Sequence, residues 1–147
     1  MNFITAFAHP HAPNLALLRG VPPVIVVHLI LALLAFAIGL FQVLGARLFG
    51  QGGKTLHRVL GWIWVVMMMT VAVSSFFIHV INPAGYSLIH LLSVFTVCVL
   101  PVAIYAARTH RAALHARMMT NTFLGALVVA GVFTLFPGRL MYQMFFG

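Results

Sequence analysis

The chain has 147 residues, 63% of them hydrophobic and only 5% charged. A water-soluble domain carries roughly a quarter charged residues, so most of this surface must face lipid. There is no Asp or Glu, which excludes carboxylate acid–base pairs, carboxylate metal sites, Mg²⁺-nucleotide sites and acidic proton relays.

The length suits four transmembrane spans of about 20 residues each, with no soluble module. The first 20 residues lack a basic n-region and contain Pro10 and Pro13, so no cleavable signal peptide is expected. His9 and His11 fall in this leader and are expected to be solvated. Helix 1 is predicted over 22–45, with proline in its first turn. The glycine-containing segment ARLFGQGGKT breaks it. Helix 2 is predicted over 55–81, ending before Asn82-Pro83-Ala84-Gly85. Helix 3 follows over 86–107, and Pro101 should kink it. Helix 4 is predicted over 113–136, where Pro137-Gly138 stops it. The tail RLMYQMFFG reads as a short amphipathic or interfacial segment. The lone cysteine, Cys98, lies within a span and has no cysteine to pair with. The fold class is therefore an all-α integral membrane protein, an antiparallel four-helix bundle forming a single domain over 1–147.

Arg47, Lys54, Arg58, Arg108, Arg111 and Arg117 flank the loops between helices 1 and 2 and between helices 3 and 4. Arg19 and Arg139 mark the opposite side. The positive-inside rule places both loops in the cytoplasm and both termini outside, in a bacterial inner membrane. The net charge of +8 is spread along span ends and does not form a patch, so anionic lipid headgroups are expected as partners and nucleic acid is not.

Polar residues inside spans are rare and usually functional. On this topology the histidines form two layers. His28, His79 and His90 lie toward the outer end, and His57, His110 and His115 toward the inner end. With sequential neighbours, helices 1 and 3 are diagonal, as are 2 and 4. His28 then pairs with His90, and His57 with His115, in the arrangement required of two axial haem ligands. Along each helix, positions i, i+4, i+7 and i+11 share a face. From His57 that face holds Gly61, Trp64 and Met68. From His28 it holds Ala32, Ala35 and Gly39, and from His115 it holds Met119, Thr122 and Ala126. Gly61 would leave space for a flat ring. Arg58 and Arg117 stand beside the inner pair, where propionates would need cations, and Arg19 and Arg139 serve the outer level. At 1.5 Å per residue the two layers are roughly 25 Å apart. The competing reading makes these histidines interfacial anchors with wet polar edges, and the small residues close-packing positions.

Two stretches, LHRVLGWIWV (Leu56 to Val65) and LHARMMTNTFLGALVVAGVFTLFPGRL (Leu114 to Leu140), resemble a bacterial family of predicted membrane proteins with no assigned function. That family shows a His-Arg-x-x-Gly start to one helix, here His57, Arg58 and Gly61. A later helix has a His-Arg-x-Met-like start, here His115, Arg117 and Met118, with Ala116 where Arg is common. The resemblance covers about residues 25 to 140. More remotely, the histidine layout is similar to two-haem transmembrane cytochromes b, an analogy of architecture.

The leading expectation is a redox protein holding haem b at one or both layers and exchanging electrons with a quinone or a redox partner protein. A second is a small structural or assembly subunit of a larger membrane complex or homo-oligomer. A third is a Zn²⁺ or copper site built from His28, His79 and His90.

Overall fold

The computed structural model describes residues 12–48, 53–81 and 88–146, with the backbone alone for 46–48, 79–81 and 88–89. Helix α1 spans Pro23–Leu48, α2 Lys54–Ile81 and α3 Leu88–Arg108. The fourth rod is built from α4 (Ala112–Thr122), a π-helical segment Phe123–Val129, and α5 (Ala130–Thr134). Helix α6 covers Leu140–Phe146. No strand occurs among the described residues. Four stretches are long and apolar enough to cross a bilayer: Pro23–Gly45, Lys54–Ile78, His90–Arg108 and Ala112–Thr134. The predicted helices all exist, within about two or three residues at their described ends, which is the usual uncertainty of helix boundaries.

Three of these boundaries have visible chemistry. Pro23 opens α1 in the position where its missing N–H costs nothing. Helix α3 runs through Pro101 and stops at His110, which adopts φ 59°. There Arg111 N–H donates to the Ala106 carbonyl at 2.9 Å and His110 N–H to that of Ala107 at 3.3 Å. These two bonds define a Schellman turn, with histidine in the left-handed position that glycine usually takes. Pro137 and Gly138 fall beyond α5, and Gly138 has φ 87°.

The packing follows chain order. α1 lies on α2, α2 on α3 and α3 on α4, and the π segment closes the ring against both α1 and α3. The segments outside the rods share one end, because Asn14 N–H donates to the Met144 carbonyl at 3.0 Å. The tail, expected to be a short amphipathic or interfacial segment, forms α6, which buries Tyr142 and Met144 and leaves Gln143 exposed.

Every rod contributes to the central core: Ala35 from α1, Trp64, Val65 and Met68 from α2, Leu100 from α3, and Phe123 and Leu127 from the π segment. The closest approach is at Gly39. A Cβ there would sit 2.6 Å from Phe123 Cδ2 and 2.7 Å from Trp64 Nε1. The indole therefore occupies the space that glycine leaves, and its N–H donates to the Ala35 carbonyl at 2.8 Å. Small residues that let large partners or backbones approach are how helices associate where lipid removes the hydrophobic driving force.

Gly39→Ala is expected to destabilise the bundle by about 1–3 kcal/mol, the usual cost of overpacking a filled core. Thermal unfolding of the detergent-solubilised variant measures it, and an unchanged midpoint would contradict this contact.

Candidate functional site

The three helical faces read from the histidines do turn inward. On the His28 face Ala35 and Gly39 are buried, on the His57 face Trp64 and Met68, and on the His115 face Thr122, with Met119 and Ala126 against the core. His28 and His115 are half-buried at the ends of these faces, while His57 is exposed.

At the end carrying the two predicted cytoplasmic loops, His115 is half-buried and His57 more exposed. His115 Nδ1 lies 2.9 Å from the Ala103 carbonyl. A carbonyl only accepts, so the Nδ1–H is the donor and the neutral ring keeps its lone pair on Nε2. Both histidines lie at this end of the bundle, His57 in the first turn of α2 and His115 in that of α4. Arg58 and Arg117 are both exposed at this end. Arg108 places its guanidinium 6.0 Å from the ring centre of Trp62, a cation–π distance. His110 occupies the Schellman turn described above.

At the opposite end, His28 Nδ1 meets Ser74 Oγ at 2.8 Å. Ser74 Oγ also lies 3.0 Å from the Val71 carbonyl. The His90 ring stands 6.4 Å from that of Phe76. Both outer rings are thus placed against α2. His79 side-chain atoms, and His9 and His11 altogether, lie outside the described residues. A three-histidine site containing His79 therefore falls outside them too. Among the described residues, no group of three or more His, Cys, Asp or Glu gathers.

Several polar features were not singled out from sequence. Ser75 Oγ lies 2.7 Å from both the Ala72 carbonyl and Ser93 Oγ, joining α2 to α3 through two buried hydroxyls. The π segment, with its wider turn, is a second such feature, and π turns are frequent at functional sites. The third is Gln42 of α1. Its Oε1 is buried and has no hydrogen-bond partner. The sequence did hold a signal for it: Gln42 lies fourteen residues after His28, on the same helical face, and is the only amide side chain in α1. Gln42 also faces the candidate motif glycine. A Cβ on Gly61 would meet Gln42 Nε2 at 3.7 Å. The space beside Gly61 is thus bordered by an amide.

The chain belongs to the family described as "Predicted membrane protein (DUF2306)", whose model matches residues 25–146. This match spans all four apolar rods and both histidine motifs. No curated protein matches the chain. No solved structure matches it either.

The His28–Ser74 bond should be measurable as a coupling between α1 and α2. A double-mutant cycle of His28→Ala and Ser74→Ala is expected to give about 0.6 kcal/mol, with an upper bound near 1.7, the range found for interhelical hydrogen bonds in membranes. Additive single effects would show that the two side chains act independently.

Proposed function

We propose that this protein is a b-type cytochrome-like electron carrier of the bacterial inner membrane, with haem held between His57 and His115. The observation that carries this reading is the posture of His115. Its Nδ1–H is fixed by the Ala103 carbonyl, leaving Nε2 available, and a histidine metal ligand is usually oriented in this way by a hydrogen bond from its other nitrogen. His57, in the first turn of α2 at the same end of the bundle, would be the second imidazole. Arg58 and Arg117, at the same end, supply cations for the propionates. The haem would supply one-electron chemistry, while the chain sets its potential through the two imidazoles and the burial around them.

The core argues for placement near an end. Trp64, Met68, Leu100 and Phe123 fill the middle, where Gly39 has no room even for a methyl group. His28, held by Ser74, and His90 on α3 supply a second pair of imidazoles for a haem at the other end. On this reading the two basic loops face the cytoplasm and both termini lie outside.

A reduced-minus-oxidised absorption spectrum of protein purified from haem-replete cells tests the proposal. An α-band with a shifted Soret band is expected. His57→Ala and His115→Ala should each abolish the same spectral component, and their combination should remove little more. His110→Ala should retain it. Colourless wild-type protein would end the reading.

Orientation is tested separately. A cysteine introduced as Gln51→Cys in a Cys98→Ser background should resist an impermeant thiol reagent in intact spheroplasts and react once the membrane is opened. Immediate labelling would reverse the assignment of the two layers.

A further inference from the structure

We infer that Gln42 is a ligand-binding residue, and that its Oε1 accepts a hydrogen bond from the ring hydroxyl of a lipid-soluble quinol. The inference deepens the redox reading by naming its substrate class, but the binding it describes requires no haem.

The argument begins with the other polar side chains of the spans. Thr70, Ser74, Ser75, Thr96 and Thr122 each donate to a carbonyl one turn back in their own helix. Trp64 and His115 use carbonyls of neighbouring helices. Hydrocarbon supplies no substitute partner, so such satisfaction is the rule for membrane interiors. Among the described residues, Gln42 Oε1 is the buried side-chain atom that breaks it. A carbonyl oxygen lacks a proton of its own, so what it needs is a donor.

Nothing in the spans nearby can supply a carboxylic acid, because the chain has none. Gln42 lies six residues before the end of α1 at Leu48, or about 9 Å at the helical rise. That depth is within reach of a molecule entering from the bilayer close to the headgroups. The amide also faces a glycine. At Gly61, Gln42 Nε2 is the one described atom that an added Cβ would meet within 4 Å. The amide therefore borders backbone that carries no side chain at this point. His57 lies one turn from Gly61 on the same face, and His115 lies at the same end of the bundle, so an acceptor amide and two imidazoles occur at one end. A quinol matches this set. Its flat apolar ring partitions into lipid, and its hydroxyl groups donate.

The test uses the full-length protein in nanodiscs and a redox-inert probe, heptyl-hydroxyquinoline N-oxide, which has a ring hydroxyl and an alkyl tail. Binding is read by quenching of Trp62 and Trp64 fluorescence and by the thermal shift on adding probe. Saturable binding is expected in wild type. Gln42→Leu should weaken it at least about ten-fold, because the hydroxyl then faces an apolar side chain and is left unpaired. Without probe, Gln42→Leu should unfold at the same temperature as wild type or higher, since it removes an unsatisfied buried atom. If that variant fails to fold, Gln42→Met makes the same comparison with an unbranched side chain. Wild-type affinity in either variant overturns the inference, as does the absence of saturable binding in wild type. A missing α-band with intact, Gln42-dependent binding would remove the haem reading and leave this one standing.

Discussion

The hydrocarbon core of a bilayer offers no hydrogen bonds, and this requirement organises the whole molecule. Backbone groups within each rod are satisfied by helix formation. Span hydroxyls turn back onto their own helices. What remains is a few directional bonds between rods, and these define the packing order. Trp64 to Ala35 and His28 to Ser74 join α1 to α2. Ser75 and Ser93 join α2 to α3. His115 to Ala103 joins α3 to α4. Each bond is worth little alone, about 0.6 kcal/mol on average for interhelical pairs in membranes. Together they connect successive neighbours at different depths, which makes a shifted register costly. The close contact over Gly39 adds shape to these bonds. The indole of Trp64 fits because residue 39 has no side chain, and the same fit brings Phe123 into the core.

Much of this architecture was legible in the chain. Long uncharged stretches separated by Arg, Gly and Pro locate the rods, because burying a charge in lipid is costly enough to keep charges at span ends. The i, i+4, i+7, i+11 spacing also oriented three rods correctly, since Ala35, Trp64 and Thr122 are all buried. The contacts between rods were not legible. Nothing in the pattern says that Trp64 reaches the carbonyl of Ala35, or that Ser74 rather than another residue holds His28. Such partners depend on relative helix depth and rotation, which hydropathy does not encode. The π turn was equally hidden, because FLGALVV has the composition of any apolar helix. Gln42 was visible as the one amide of α1, but its significance is that a partner is missing, and this appears only once its neighbours are placed.

The filled middle also constrains where chemistry can occur. Met68 and Leu100 are almost wholly inaccessible, at 1% and 0% exposure, and the π segment presses Phe123 against α1 and α2 at the same depth. Tight packing here holds the rods together, and the buried polar side chains beside it, Thr96 and Thr122, are hydroxyls that return their protons to their own helices. The two histidine layers are therefore a consequence of the core as well as of the sequence. An imidazole placed one or two turns deeper would have to displace Trp64 or Phe123, and its second nitrogen would need a partner in a region supplied mainly with methyl and aromatic groups.

The absence of carboxylates gives the two ends different electrostatic roles. Six basic side chains flank the loop end and two the terminal end, with no acidic side chain in the chain to neutralise any of them. Charge balance at the loop end must come from outside the sequence, and the phosphates of anionic lipids are the counterions a bilayer provides. The same absence restricts proton movement. Imidazole is then the only side chain of ordinary pKa near neutrality available at both ends, apart from a cysteine within α3. A histidine that gives its Nδ1–H to a carbonyl or hydroxyl is left with one basic nitrogen, and that nitrogen can take a metal or a proton but not both. On the proposed reading, His115 therefore cannot ligate iron and accept a substrate proton at the same nitrogen. A neutral acceptor such as Gln42 resolves this conflict, because it can position a hydroxyl group without competing for the nitrogen lone pairs.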